Sequence, residues 1–131
     1  MDLLALAKGF ADRVERESKE AKVPVSVSIV DIHGNIVLTH RMSGAPAFSM
    51  ELSERNAFTS ALVGIRTIEL LRLLQPGQEL FPLGTVLGGK YGAMGGGVPL
   101  KSEEALIAGI GVSVGTTAQY FDCGSGAEIG F

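Results

Sequence analysis

The sequence contains a single cysteine, no tryptophan and no excess of basic residues. Because an intrachain disulfide needs two cysteines, Cys123 alone cannot support a disulfide framework, and one thiolate is too few for a cysteine-based metal cluster. The chain carries 11 Lys and Arg against 14 Asp and Glu. This balance argues against a nucleic-acid-binding surface, which needs clustered basic residues.

Long hydrophobic segments are also lacking. No apolar run reaches the length of about 18 residues that a transmembrane helix needs, so the sequence predicts no membrane span. The N-terminus has Asp2 where a secretory signal would carry positive charge, and Asp12 and Glu15 soon follow. We therefore expect a cytoplasmic protein.

Apolar residues, by contrast, are abundant: 46% of the 131 residues are hydrophobic and 19% are charged. This length suits one domain, residues 1–131, and is too short for two ordinary ones. A small monomer cannot bury so much apolar surface in its own interior. We therefore expect a homo-oligomer whose subunit interfaces cover the remainder.

The first 41 residues predict a helix followed by a β-hairpin. Residues 2–22 place apolar side chains on one stripe at helical spacing, with Asp2 as the N-cap. Residues 25–29 alternate between apolar side chains and serine, as a half-buried strand does. Residues 31–35 supply turn residues, and residues 36–41 are predicted as the returning strand.

The middle of the chain predicts two helices. Ser49 is expected to cap a helix that runs to about Val63, where Gly64 interrupts it. Thr67 is expected to cap a second helix over residues 68–74.

The second half is glycine-rich and predicted to be strand-like. Residues 84–92 and 95–100 are rich in glycine, and a turn is expected at residues 101–104. Residues 105–112 form a continuous apolar run, which predicts a strand that is central in its sheet or buried on both faces. The order of these elements predicts an α+β fold with an antiparallel sheet that helices cover on one face.

Two glycine patterns resemble nucleotide-binding motifs without matching them. Residues 84–91, GTVLGGKY, differ from the phosphate-binding loop at Tyr91, where a Ser or Thr hydroxyl would bind Mg²⁺. Residues 109–115, GIGVSVG, have the wrong spacing for a dinucleotide fingerprint and lie inside the apolar strand. We expect those glycines to permit close packing.

The polar residues of the hairpin are the candidates for chemistry. Asp31 and His33 are suited to acid–base work or to haem or metal ligation, but a turn Asp ordinarily caps its own backbone and an exposed turn His is common. His40 and Arg41 are neighbours on a strand, so their side chains point to opposite faces.

Four sequence blocks, taken together, resemble the GlcG/HbpS (haem-degrading-like) family. The blocks are VPV with VDIHGN (residues 23–35), RMSGA (41–45), QPG (75–77), and GGGVPL with IGVS (95–100 and 110–113). Their order matches over about residues 5–120. The QPG segment and the triple glycine are most similar to the branch found as the C-terminal domain of the propanediol-utilisation protein PduO.

This resemblance implies a profilin-like or PAS-like two-layer fold, an antiparallel sheet with helices packed on it. It further implies even-numbered oligomers such as octamers, haem binding in some members, and a role in bacterial small-metabolite catabolism. The corrinoid adenosyltransferase domain of PduO has no counterpart in this sequence, so that activity is not expected.

We therefore predict a small-ligand-binding homo-oligomer with a pocket near the 31–35 turn, the end of the second strand and the triple glycine. His33 is the predicted axial ligand of haem, and Arg41 the partner of a ligand carboxylate. The predicted ligand-binding residues are Asp31, His33, Arg41, Met42, Gly95, Gly96, Gly97 and Pro99.

Two alternatives remain open at this point. The triple glycine either lets a ligand come close to the backbone N–H groups or forms a tight turn that connects strands. The protein is either a binding module or a small enzyme acting on a carbonyl or hydroxy-acid metabolite, with Asp31 or His33 as acid–base and Arg41 as carboxylate clamp. The family's acidic positions are replaced here by Ser43, Ala118 and Tyr120, so functions that need those acids are not expected.

Overall fold

The computed structural model describes residues 1–88, 91 and 95–113. Its α-helices are α1 (Leu3–Ala21), α2 (Phe48–Val63) and α3 (Thr67–Leu70), and 3₁₀ segments cover Leu71–Leu74 and Phe81–Gly88. The strands are β1 (Ser26–Val30), β2 (Ile36–Arg41), β3 (Gly97–Ser102) and β4 (Ala105–Ser113). Three positions discussed from the sequence, Ala118, Tyr120 and Cys123, lie outside the described residues, as do two residues of the 84–91 glycine pattern, 89 and 90.

The four strands form one antiparallel sheet in the order β2-β1-β4-β3. The apolar strand β4 therefore lies inside the sheet, as its continuous hydrophobic run predicted. In register, Ser28 of β1 pairs with Thr39 of β2 on one side and with Gly111 of β4 on the other. The α+β fold with an antiparallel sheet is confirmed.

Helix α1 covers the apolar face of the sheet. Asp2 caps it, because its Oδ1 accepts a hydrogen bond from the Ala5 amide at 3.1 Å, and Lys22 ends it in the left-handed conformation. Its buried stripe packs on alternate residues of the strands. This apolar cluster consists of Ala7, Phe10, Ala11, Val14, Val25, Val27, Ile29, Leu38, Leu100, Ala108, Ile110 and Val112.

Helix α2 covers the opposite face, which consists of small and hydroxyl-bearing residues. The Ser26 hydroxyl lies 2.8 Å from that of Ser49, and the Ser28 hydroxyl lies 2.7 Å from that of Ser53. A Cβ atom added to Gly111 would meet the carbonyl oxygen of Ser53. The prediction that these glycines permit close packing is confirmed, since a side chain at Gly109 or Gly111 would collide with the backbone of α2.

The sequence-based expectation that helices cover only one face of the sheet is wrong. Each face carries a helix, because the strands alternate between large apolar residues on one side and Ser or Gly on the other. Among the described residues, no helix has the length and hydrophobicity that crossing a membrane requires.

Three local predictions also need correction. Residues 84–88 belong to the 3₁₀ segment Phe81–Gly88 and do not form a strand. The predicted 68–74 helix divides into α3 and a 3₁₀ segment. Ser49 does not cap α2, because the N-cap residue is Ala47. The Ser49 hydroxyl instead donates to the Pro46 carbonyl and bonds the Ser26 hydroxyl. Tertiary bonding to the sheet thus overrides a local capping preference.

Candidate functional site

The β1–β2 turn is organised by the carboxylate of Asp31. Its Oδ1 accepts hydrogen bonds from the backbone amides of His33 and Asn35, both at 2.9 Å, and its Oδ2 accepts one from the Asn35 side chain at 3.4 Å. Gly34, with φ +84°, completes the turn. Asp31 therefore caps its own backbone, the structural role that the sequence left open.

The lowered pKa of Asp31 argues against a general-base role at this turn. Desolvation raises the pKa of this carboxyl, but the hydrogen bonds from Asn35 and His33 outweigh it and hold the pKa below its usual value of 3.8. A general base that works near neutral pH needs a pKa close to the working pH. The enzyme alternative built on Asp31 therefore gains no support from the geometry.

Three separate clefts lie near the predicted pocket, and the predicted residues that line them are Arg41, Met42 and Pro99. The turn cleft is lined by Val30, Gly34, Ile36, Glu51, Glu54, Arg55 and Phe58. The β3-edge cleft is lined by Gly64, Ile65, Arg66, Glu69, Val98, Pro99 and Lys101. The β2-end cleft is lined by Glu15, Lys19, Thr39, His40, Arg41, Met42 and Ser43.

Within the described residues, the structure does not bring all of the predicted ligand-binding residues together in one pocket. Arg41 and the 31–35 turn are at opposite ends of β2, roughly 16 Å apart at about 3.3 Å per residue. Strands β1 and β4 lie between the strands of Arg41 and Gly97, so these two residues are roughly 14 Å apart. The predicted combination of Asp31, His33 and Arg41 in one site is therefore corrected.

The triple glycine serves packing within the protein. The amide of Gly97 donates to the Thr67 hydroxyl at 2.8 Å, and the Gly95 carbonyl accepts from the Asn56 side chain at 3.3 Å. All three glycines are buried. A Cβ atom at Gly97 would meet the Thr67 side chain and the Asn56 carbonyl. The structure therefore favours the connecting-turn alternative over the approach of a ligand.

The turn cleft has a mostly apolar wall and adjoins the predicted 31–35 turn through Gly34. Its volume is about 220 Å³, below the range of about 300–1,000 Å³ typical of ligand pockets, so a larger ligand would be only partly enclosed by it. The side chain of Ile36 on its wall is 56% exposed, and Ile32 and Leu62 nearby are 45% and 40% exposed. Phe58 packs edge-on against Tyr91, with the ring centroids 5.4 Å apart.

Arg55 supplies a cation to the wall of the turn cleft. Its Nη2 bonds Glu51 Oε1 at 2.7 Å in an exposed pair one helical turn apart. Such pairs contribute only about 0–1 kcal/mol, so a ligand carboxylate can replace Glu51 at low cost. His33 directly precedes Gly34, which lines the same cleft.

Arg55 and Phe58 were not among the residues predicted from the sequence to bind a ligand. Both lie on α2, at positions where residues 51, 54, 55, 58 and 62 recur at helical spacing. That stripe places charged and apolar side chains together on one face of the predicted helix. This pattern was the sequence signal that could have indicated a binding surface. What it faces is decided by the tertiary structure, because Gly34 lies against Phe58 and Leu62.

The β2-end cleft has a different chemistry. His40 Nδ1 lies 2.8 Å from Glu15 Oε1, which joins β2 to α1. The Nη1 of Arg41 donates to the carbonyl of Ala45 at 2.9 Å. In the part of the chain that the structure describes, no group of three or more His, Cys, Asp or Glu residues is arranged to hold a metal ion.

Comparison with known proteins identifies the class to which this fold belongs. The family model described as haem degrading protein HbpS-like matches residues 4–125. The ORFY protein of Klebsiella pneumoniae superposes with a TM-score of 0.90 at 34% identity, over 95% of this chain and 86% of that one. A PduOC:haem complex superposes with a TM-score of 0.88 at 35% identity, over 93% of this chain and 88% of that one.

The chain belongs to the HbpS-like family. It is also 38% identical over 121 residues to the corrinoid adenosyltransferase PduO of Salmonella typhimurium. That match covers 92% of this chain and 35% of the relative, so the chain spans about a third of the length of that protein. The resemblance stated from the sequence is thereby confirmed.

Proposed function

We propose that this protein binds haem, or a similarly planar apolar ligand that carries carboxylates, in the turn cleft. The observation that carries the proposal is one concave surface lined by the exposed Ile36, by Phe58 and by Arg55, with His33 next in sequence to Gly34 of its wall. A family relative of 35% identity that superposes closely has been solved as a haem complex. Both observations support the same ligand class.

Each part of the turn cleft would contact a different part of such a ligand. Ile36 and Phe58 offer apolar surface to the macrocycle, and burial of their exposed area favours binding at about 25 cal/mol per Å². Arg55 would exchange Glu51 for a propionate carboxylate in a bidentate pair. His33, predicted from the sequence, remains the proposed axial ligand through an imidazole nitrogen.

We also propose that the protein is a homo-oligomer of even number, an octamer being the form that the family resemblance implies, and that it serves small-metabolite catabolism in a bacterial cytoplasm. Exposed apolar side chains outside the turn cleft support an interface: Phe48 is 57% exposed and Phe81 is 50% exposed. Strands β2 and β3 are both edge strands of the four-stranded sheet that the described residues form.

The test is a haem titration of the full chain followed by its Soret band, with light scattering on the same samples to measure the mass. We expect a shifted Soret band in the wild type and an even multiple of 13.7 kDa. His33→Ala should weaken the shift, while His40→Ala should not. Ile36→Glu and Arg55→Gln should each raise the Kd about tenfold, since one removes apolar contact and the other a charge-assisted bond.

Matched controls place equivalent changes away from the turn cleft. Leu4→Glu alters an exposed apolar residue of α1, on the other side of the sheet, and Arg72→Gln removes an exposed arginine. Neither should change the titration. No Soret shift in the wild type would refute haem as the ligand, and equal losses in the controls would refute the turn cleft as the site.

A further inference from the structure

The β1–β2 turn restrains the backbone of His33 by hydrogen bonds on both sides of that residue. The Oδ1 of Asp31 accepts from the amide of His33 itself and from the amide of Asn35, both at 2.9 Å. The backbone adds two more bonds, from the Asp31 amide to the Asn35 carbonyl at 2.9 Å and from the Gly34 amide to the Asp31 carbonyl at 3.0 Å. These bonds hold the backbone that carries the His33 side chain in one conformation.

A contact with α2 fixes this turn relative to the turn cleft. A Cβ atom added to Gly34 would lie 2.5 Å from the Phe58 ring and 3.4 Å from the Leu62 side chain, so the turn backbone rests directly on the helix. Phe58 follows Arg55 by three residues on α2, which places the two on neighbouring positions of the helix surface. The contact at Gly34 therefore sets the position of the His33 backbone relative to Arg55.

The carboxylate of Asp31 is what selects this conformation of the turn. Gly34, with φ +84°, is a residue that adopts many backbone conformations when nothing restrains it. The two bonds to Oδ1 lie on either side of it, at His33 and Asn35. A turn without them would have to be ordered when a ligand binds, and ordering a residue costs conformational entropy.

We propose that Asp31 is a positioning residue for haem ligation, which keeps the backbone of His33 where its imidazole can bind the iron. This inference rests on the proposed function, because it takes haem in the turn cleft and His33 as the axial ligand. Asp31 does not bind the iron here; it acts through the amides of His33 and Asn35. A ligand group that is already ordered loses less freedom on binding, which gives a higher affinity.

The experiment is a double-mutant cycle on the full chain, titrated with ferric haem and followed by its Soret band. Asp31→Ala removes both acceptor bonds and should raise the Kd about tenfold, as expected when about one backbone residue must be ordered on binding. In a His33→Ala background the same change should leave the Kd within about twofold, because the residue through which Asp31 acts is absent. A change that merely loosened the cleft wall would raise the Kd in both backgrounds.

Replacements at residue 31 grade the effect by the acceptor that remains. Asp31→Asn keeps a side-chain oxygen for both amides, so its Kd should stay within about twofold of the wild type. Asp31→Ser keeps a weaker acceptor and should lie between Asp31→Asn and Asp31→Ala. It also takes the place of Asp31→Ala in the cycle if that variant does not fold. The matched control is Ser28→Ala, which removes bonds to Ser53 and Thr39 outside the turn and should not change the Kd.

The outcomes separate this inference from the proposed function. An unshifted Soret band in the wild type, or a Kd unchanged by His33→Ala, would refute the proposed haem site and this inference with it. A loss in His33→Ala together with no loss in Asp31→Ala, or two fully additive losses, would refute the positioning role and leave the haem site standing. A Kd for Asp31→Asn as high as that of Asp31→Ala, or an equal loss in Ser28→Ala, would refute it as well.

Discussion

The two faces of the sheet reach close packing by opposite means. Under α1, large side chains such as Ile29, Ile110 and Val112 interlock with the helix, and each is fully buried. Under α2, Ser28 and Gly111 leave so little side-chain volume that the helix backbone itself approaches the strands. The same strands contribute side chains to both faces, since neighbouring residues of a strand point in opposite directions.

This difference determines which substitutions each face tolerates. The apolar face is stabilised by the burial of hydrocarbon, so it is sensitive to the loss of volume. The Ser/Gly face is stabilised by close contact and hydroxyl–hydroxyl bonds, so it is sensitive to any gain of volume and to the loss of a bond partner. Adjacent residues of β4 allow a direct comparison.

The largest effect is expected from adding one methyl group on the Ser/Gly face. Gly111→Ala should lower the free energy of unfolding by about 3 kcal/mol, because its Cβ meets the Ser53 carbonyl and lies 2.5 Å from the Ala57 amide nitrogen. Ile110→Val, which removes one methylene on the other face, should cost about 1 kcal/mol. Urea denaturation followed by circular dichroism measures both values.

Gly9→Ala is the control for this comparison. Gly9 is exposed on α1 and nothing lies within 4 Å of its added Cβ, so the change should raise stability by about 0.8 kcal/mol through helix propensity alone. If Gly111→Ala destabilises no more than Ile110→Val, the two faces do not differ in the way described.

An intermediate effect is expected from removing a buried hydroxyl on the Ser/Gly face. Ser28 bonds the Ser53 hydroxyl at 2.7 Å and the Thr39 hydroxyl at 3.1 Å. Ser28→Ala should therefore cost about 1–2 kcal/mol in urea denaturation, whereas Ser102→Ala at an exposed strand end should stay within about 0.5 kcal/mol.

A double-mutant cycle sharpens that result. Ser28→Ala and Ser53→Ala should be less than additive, because each removes the same bond. Full additivity would mean that the two hydroxyls contribute independently and that the bond itself adds no stability.

The smallest effect is expected at the β1–β2 turn, outside both faces. Asp31 has a lowered pKa when the protein is folded, so its stabilisation is complete above its unfolded pKa and disappears as pH falls through the folded value. Asp31→Asn should cost less than about 1 kcal/mol at neutral pH, because solvent screens this exposed turn.

Thermal unfolding at a series of pH values measures this dependence. The difference between wild type and Asp31→Asn should be constant near neutrality and should shrink below about pH 4. Superimposable curves at every pH would show that the charge of Asp31 does not stabilise the turn.

Local signals in the sequence were sufficient for much of the fold. The apolar stripe of α1 with Asp2 as its cap, the strand β1 and the turn at Asp31 were all predicted and are all present. The prediction that β1 is half-buried is wrong, because helices cover both faces of the sheet and all five residues of β1 are buried. The 3₁₀ segment Phe81–Gly88 was not predicted. Its glycine and apolar residues suit both strands and irregular helices, and the hydrophobic residues show no periodicity that would distinguish the two.

The candidate site was less predictable, since it depends on which elements meet. Arg41 and Met42 were predicted to share a pocket with the 31–35 turn, yet the length of β2 separates them from it. Arg55 was overlooked because only the approach of α2 to Gly34 brings it to the turn cleft.

The sequence by itself determined the family, the strand alternation and the position of the β1–β2 turn, because each rests on short-range pattern. Only the tertiary structure decided that a helix covers each face, that Gly97 and Gly111 face α2, and that the ionisable residues divide between two clefts. Those features follow from contacts between residues distant in sequence, whose partners no local pattern specifies.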